Sequence, residues 1–235
     1  MTGTLYLLPV SLGAGAWQAV LPALTRDTAC QLTDFIVENA KSARAALKWM
    51  EHPAPLRAVA MAEIPEAPDA QNIENLIAPL LAGRNVGLMS EAGCPAVADP
   101  GALIVRRTHE LGIPVKPMVG PSALLLALMA SGLDGQRFAF HGYLPARAPE
   151  RSLQITQLEK ESRLKRQTQL FIETPYRNQQ LFSALCTACQ PGTRLCIASD
   201  ISTSSESVVT LRIDEWRKRP APNLDRRPTV FLLLA

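Results

Sequence analysis

The residues best suited to holding a ligand are Ser90-Glu91-Ala92-Gly93-Cys94-Pro95-Ala96-Val97-Ala98-Asp99-Pro100-Gly101. They follow the apolar run Val86-Gly87-Leu88-Met89 and lead into Ala102-Leu103-Ile104-Val105, which continues as a helix. A strand, a Gly/Pro-rich turn and a helix in succession is how α/β sheets build ligand sites at the carboxyl ends of their strands. Gly93 and Gly101 permit close backbone approach. Pro95 and Pro100 stiffen the turn and bias Cys94 and Asp99 away from helix. The alternative is a rigid connection that binds nothing.

Other segments repeat the pattern of a strand followed by polar side chains. Glu173-Thr174-Pro175-Tyr176-Arg177 follows an apolar run; Glu173 can accept hydrogen bonds, and Arg177 can pair with Glu173 or with an anion. A purely structural ion pair fits these residues equally well. Ser199-Asp200-Ile201-Ser202-Thr203 repeats the arrangement, with hydroxyls that also suit turn amides. His141 and Tyr143 are expected at the end of another strand, where they suit proton transfer. Near the start, Gly13-Ala14-Gly15 and Glu38 mimic a dinucleotide fingerprint but lack its third glycine. They read better as a second loop at the edge that carries residues 90–101. There is no Walker-type phosphate loop, and no nucleophile elbow for serine-based acyl transfer.

The elements that must position these loops alternate through the first half. Strands are expected at 4–8, 35–37, 57–60, 86–89 and 115–118, with helices at 17–24, 42–50, 71–81 and 103–111. Apolar strands without clean alternation suit a parallel sheet covered on both faces. Gly120-Pro121 introduces an N-capping Ser122 and an almost wholly apolar, buried helix over 123–129. The second half predicts strands at 137–140, 169–172, 194–198, 207–211 and 229–234 but helices only at 151–164 and 178–189, hence a mixed sheet. Two α/β domains are expected, 1–119 and 120–235. Residues 220–228 read as an exposed loop.

Of the 235 residues, 47% are hydrophobic and 19% charged, as in a globular protein, and the net charge of +3 permits an anionic partner without demanding one. No basic segment precedes Leu5-Tyr6-Leu7-Leu8, and no apolar run approaches a membrane span, so a cytoplasmic protein without membrane contact is expected. The five cysteines suggest reduced thiols. Cys186 and Cys189 have the spacing of half a zinc site but no second pair, so they read as packing residues, and no metal is expected. The basic groups Arg163-Leu164-Lys165-Arg166, Arg217-Lys218-Arg219 and Arg226-Arg227 can track phosphates, but they lack interleaved aromatics and read better as solvated surface.

Together, Gly3-Thr4-Leu5-Tyr6-Leu7-Leu8-Pro9, residues 90–101, Gly120-Pro121-Ser122-Ala123, residues 138–145 and residues 171–177 resemble the tetrapyrrole methylase superfamily of S-adenosylmethionine-dependent methyltransferases. The branch most similar is the ribosomal RNA small-subunit methyltransferase I family, which methylates a ribose 2′-hydroxyl. The resemblance implies a homodimer with S-adenosylmethionine in a cleft between two domains. It implies cofactor contacts at Pro9, Glu91, Gly93, Cys94, Ala96, Val97, Ser122 and Ala123, with Ser199 and Thr229 closing on the adenosine. Candidate acceptor-side groups are Glu173, Asp200, His141 and Tyr143. The chain departs from that branch at Asn39-Ala40-Lys41, where an Asp-Thr-Arg signature is expected, and at Glu91 and Cys94, where the family loop Ser-Asp-Ala-Gly-Thr-Pro has aspartate and threonine. It also stops at Ala235, where ribosomal members continue. Three readings stay open: an RNA methyltransferase, a methylase of a tetrapyrrole or other small molecule, and a non-catalytic cofactor-binding module.

Overall fold

The computed structural model describes residues 2–13 and 15–235. The chain divides into two compact units, Met1–Ser122 and Ala123–Ala235. Ala14, the centre of the glycine loop read above, lies outside the described residues.

The first unit alternates β1 (Leu5–Leu7), α1 (Ala23–Gln31), β2 (Asp34–Val37), α2 (Ala40–Trp49), β3 (Ala60–Glu63), α3 (Ala70–Leu81), β4 (Val86–Met89), α4 (Gly101–Glu110) and β5 (Val115–Pro117). The strands form a wholly parallel sheet in the order β3-β2-β4-β1-β5. Every residue of β2 and β4 is buried, as a sheet covered on both faces requires. Successive side chains point to opposite faces. Phe35, Val37 and Met89 pack with Ala29, Ala43 and Leu47 of α1 and α2. Ile36, Val86 and Leu88 pack with Leu76, Ile77 and Leu80 of α3 and Ile104 of α4. Right-handed crossovers explain this partition. The chain moves one way across the sheet from β1 to β3 and back again from β3 to β5. The connections leaving the neighbours β1 and β4 therefore run in opposite directions.

Local sequence accounts for the boundaries. Asn39 caps α2 by accepting from the amides of Lys41 and Ser42 at 2.9 and 3.1 Å. Asp69 and Asn72 form a reciprocal capping box on α3. Three expectations need correction. The helix expected over 17–24 is a 3-10 turn at Trp17–Ala19, with α1 starting only after Pro22, because a proline disfavours helix in the residue before it. The strand expected over 57–60 is displaced to Ala60–Glu63, because a 3-10 turn follows Pro55 at Leu56–Ala58. The helix expected from 42 starts at Ala40, where the Asn39 cap sets it.

The second unit contains α5 (Ala123–Ser131), β6 (Phe138–Tyr143), α6 (Ala148–Lys165), β7 (Thr168–Ile172), α7 (Asn178–Ala188), β8 (Arg194–Ser199), β9 (Ser207–Arg212), α8 (Ile213–Trp216) and β10 (Thr229–Leu234). Its sheet is mixed, in the order β6-β7-β10-β8-β9, with β6 parallel to β7 and the remaining pairs antiparallel. One face carries the stacked pair Phe171 and Phe231, at 6.0 Å between centroids, with Phe182 and Trp216 meeting edge-on nearby. α5 packs against β8, β9 and β10, anchored by Thr210 Oγ1 donating to the Ser131 carbonyl at 2.7 Å. α5, expected to be buried, is buried at Ala127, Leu128 and Ser131, whereas Met129 is 79% exposed, since one stripe of a helix meets a sheet. The short α8 had no periodic signal. Residues 220–228 are not merely exposed loop: Leu224 is buried in the core.

Among the described residues no helix is long and apolar enough to cross a membrane. Cys189 lies in the core, where burial above all pushes its thiol up to about 12. Arg217 caps the end of α7, donating to the Cys186 and Cys189 carbonyls at 2.8 Å each.

Gly3 tests how closely the parallel unit is packed. A Cβ there would lie 1.8 Å from the backbone oxygen of Arg84, which no side-chain motion can relieve. Gly3→Ala is expected to cost about 1–3 kcal/mol, seen by calorimetry as a melting temperature lower by about 3–10 °C.

Candidate functional site

In the first unit, three segments beyond the carboxyl ends of the parallel strands are tied into one knot. Leu8 donates its amide to the Leu88 carbonyl, and Val10 pairs antiparallel with Gly93, its amide donating to the Gly93 carbonyl at 2.9 Å. Cys94 Sγ donates to the Pro121 carbonyl at 3.4 Å. Gly120 lies so close to Pro9 that an added Cβ would sit 2.3 Å from the Pro9 Cβ. Glu38, just past β2, accepts from the Glu91 amide at 3.0 Å. These segments follow β1, β4 and β5, which adjoin in the sheet. The divergence of connections between β1 and β4 makes this the topological switch point, where open α/β sheets bind ligands.

The loop itself holds an unusual backbone. Gly93, Ala96 and Ala98 have φ of +70°, +64° and +63°, a region that alanine enters only where its surroundings impose it. Asp99 supplies that constraint. Its Oδ1 accepts from the Ala96 amide at 3.1 Å and the Gly101 amide at 2.7 Å, which closes the loop and caps α4. Asp99 Oδ2 is buried without a partner among the described residues. Burial is the main influence raising the carboxyl above its ordinary range, Glu38 adds to it, and the amide bonds oppose it.

A carboxyl raised in the folded state binds a proton more readily there than in the unfolded chain. Its contribution to stability is whole below the ordinary aspartate value and is lost as pH rises through the folded value. Asp99→Asn keeps an oxygen for both amides and cannot ionise. The wild-type melting temperature is therefore expected to fall relative to that of Asp99→Asn across this interval, as paired melts over a pH series would show.

In the second unit, the ends of β6, β7 and β8 and the start of β10 share one edge. Glu173, with its side chain fully buried, closes β7. Its Oε1 accepts from the Thr174 amide at 2.7 Å and from Arg177 Nε and Nη2 at 3.0 and 2.6 Å, while Oε2 is buried without a partner among the described residues. On β8 and β10, Ser199 and Thr229 are register partners whose hydroxyls meet at 2.9 Å. Thr229 Oγ1 donates onward to the Arg227 carbonyl, so Ser199 is the donor of the pair. Asp200, at φ +51°, accepts from Arg227 Nε at 2.6 Å and Ser205 Oγ at 3.1 Å through Oδ2. Asn178, at the start of α7, donates to the Arg227 carbonyl at 2.6 Å and keeps a buried, unpartnered Oδ1.

Pro9, Gly93, Cys94 and Ala96 thus gather in the first unit, with Glu91 and Val97 exposed on the same loop. Ser122 follows the Gly120-Pro121 turn and Ala123 opens α5. Glu173, Ser199, Asp200 and Thr229 gather on the edge of the second sheet. His141 is not at a strand end as expected: β6 runs on to Tyr143, and His141 Nε2 donates to Gln169 Oε1 on β7. Tyr143 ends the strand after a bulge at Gly142, where φ is +63°. Sequence reasoning missed Asn178, Arg227 and the buried Arg151, whose Nη1 donates to the Ala146 carbonyl. Arg227 stood in a flagged basic pair; nothing marked the other two. A cavity of about 360 Å³ lined by Tyr6, Gln31, Asp34, Arg84 and others lies at the opposite, amino-terminal edge of the first sheet, away from the loop of residues 90–101.

Residues 28–216 match the tetrapyrrole (corrin/porphyrin) methylases. The chain belongs to this family. Ribosomal RNA small subunit methyltransferase I of Xylella fastidiosa is 33% identical over 161 residues, 68% of this chain and 58% of that protein. The protein of the same name from Pseudomonas aeruginosa is 35% identical over 139 residues, 59% of this chain and 48% of that protein. The chain spans about half the length of these curated relatives. A solved structure of the methyltransferase CobJ superposes with a TM-score of 0.65 at 15% identity, covering 99% of this chain and 94% of that one. At that identity the likeness is one of fold.

Proposed function

We propose that the protein transfers a methyl group from S-adenosylmethionine to a ribose 2′-hydroxyl of ribosomal RNA. The observation that carries the reading is the knot of residues 8–12, 90–101 and 119–122 at the switch point of a tetrapyrrole-methylase fold. Relatives named ribosomal RNA small subunit methyltransferase I support ribosomal RNA as the substrate, and the ribose 2′-hydroxyl rests on the family resemblance. The residues fit the cofactor. Gly93 is buried at φ +70°, a conformation that strains any other residue, and an added Cβ would press on Leu12 at 3.2 Å. Asp99 fixes the loop from Gly93 to Val97, so the peptide groups not engaged by Val10 or Asp99 offer donors and acceptors at fixed positions. Pro9, Glu91, Gly93, Cys94, Ala96, Val97 and Ser122 of the first unit would hold the group.

When bound, S-adenosylmethionine supplies a methyl group on a positively charged sulfur. The protein contributes alignment and exclusion of water, the dominant means of lowering the barrier to an in-line displacement. The acceptor hydroxyl also has a proton to lose. Of the four acceptor-side candidates, His141 is engaged by Gln169 and Asp200 by Arg227 and Ser205, while Tyr143 is exposed. Glu173 keeps one buried oxygen with its lone pairs unfilled. A buried acceptor of this kind calls for a donor, and the acceptor hydroxyl meets that need. Arg177, bonded to the other oxygen, fixes the carboxylate's orientation.

Calorimetry is expected to show micromolar-range binding of S-adenosylmethionine to the wild type and a ligand-dependent rise in melting temperature. Gly93→Val, whose branched side chain resists a positive φ, is expected to abolish both while remaining folded. A folded variant that binds as the wild type does would remove this loop from the site. Glu173→Gln is expected to keep cofactor affinity and to slow methyl transfer to small-subunit RNA roughly 100-fold or more. A lower melting temperature with unchanged turnover would assign Glu173 to the turn alone.

A further inference from the structure

Of the chain's three tyrosines, two stand exposed on the edge that carries Glu173. Tyr143 ends β6 and is 56% exposed; Tyr176 lies in the turn between β7 and α7 and is 74% exposed. Tyr143 is the register partner of Ile172, which Tyr176 follows by four residues. Strand spacing and chain reach therefore keep the two within about 15–20 Å of each other. Phe138, also exposed, lies at the other end of β6. Both tyrosines keep more than half of their surface in water, and every nucleobase offers such a ring a face on which to stack.

Two guanidinium groups accompany the rings. The Arg226 amide donates to the Pro175 carbonyl at 3.2 Å, which fastens Arg226 beside the tyrosine turn. Its side chain is 78% exposed, with a carboxylate contact, to Asp225, only at 4.0 Å. Arg147, four residues past Tyr143, is 84% exposed and lies 3.8 Å from Glu150. Both separations exceed hydrogen-bond distance and leave donors for phosphate oxygens. By contrast, Arg177 and Arg227 are bonded to Glu173 and Asp200 and hold the turns in place. Arg226 also occupies φ +57°, where glycine would be less strained.

We infer that Tyr143, Tyr176, Arg147 and Arg226 form a docking platform for single-stranded RNA, the tyrosines stacking bases and the arginines meeting phosphates. The inference rests on the reading of RNA as acceptor and deepens it. Tyr176 is carried by the turn that Glu173 and Arg177 brace, which ties the platform to the same strand end as the candidate acceptor-side carboxyl. Specificity for unpaired RNA follows, because a base inside a duplex presents no free face to the ring.

The test is fluorescence anisotropy with a labelled single-stranded RNA of about 12 nucleotides, within the usual site sizes for such surfaces. Wild type, Tyr176→Ala, Tyr176→Phe, Tyr143→Ala and Arg226→Gly are compared, with melting curves and S-adenosylmethionine calorimetry on each. Tyr176→Ala is expected to weaken RNA binding about tenfold or more, Tyr176→Phe to restore it to within about threefold, and Tyr143→Ala to give an intermediate loss. Arg226→Gly is expected to lower the slope of log affinity against log salt by about 0.7 without lowering the melting temperature, since glycine relieves the left-handed strain. RNA binding by Tyr176→Ala equal to wild type, with cofactor binding intact, overturns the platform and leaves the methyltransferase reading standing. A wild type that binds the cofactor but no RNA overturns the platform together with the RNA acceptor. Loss of cofactor binding in the wild type itself is the separate failure of the broader reading.

Discussion

Parallel pairing is the constraint from which the first unit follows. Once β1 lies between β4 and β5, every connection must leave from the same edge of the sheet and return over a face. Right-handed crossovers then assign α1 and α2 to one face and α3 and α4 to the other. The buried residues of β2 and β4 serve both faces at once, so neither helical layer could be lost without uncovering the sheet. The loops that meet at the carboxyl edge are thus brought together by the direction of the strands.

A second order of organisation is laid on this frame by a few polar side chains. Asp99 grips two amides and holds two alanines in left-handed backbone; Glu38 holds the amide of Glu91. In the second unit Glu173, Asp200 and Asn178 do comparable work through Arg177 and Arg227. In each unit, acidic side chains just beyond strand ends make an irregular loop as determinate as the sheet behind it. The unpartnered oxygens of Asp99, Glu173 and Asn178 all occur in these braces.

The architecture was readable in advance because its signals are local and repeated. Short runs rich in apolar residues marked nine of the ten strands among the described residues at or near their observed positions. The misplaced one, β3, came from a stretch where Pro55 diverts the chain into a 3-10 turn before pairing begins. Pro22 similarly moved the start of α1. The loop at 90–101 was legible from its glycines and prolines, yet the left-handed alanines at 96 and 98 were not, since nothing in alanine announces a positive φ. The network around Arg227 was invisible for a different reason. Arg227 and Asp200 are 27 residues apart in sequence, and only the antiparallel pairing of β10 with β8 brings their loops together. For the same reason a pair of arginines beside no aromatic residue in sequence comes to lie next to Tyr176 in space.

The order of strands in the second sheet bears on how that unit is made. β10 lies between β7 and β8, antiparallel to both, although it is the last of the five in sequence. Until residues 229–234 arrive, β7 and β8 have no common neighbour, and Phe171 lacks the ring of Phe231 on which it stacks. Closure depends on contacts distant in sequence, which slows folding. In the meantime two strongly apolar strands keep unpaired edges, the kind of surface through which incomplete chains adhere to one another. A chaperone that shields β7 and β8 during synthesis would be acting on a hazard built into the connectivity of the sheet.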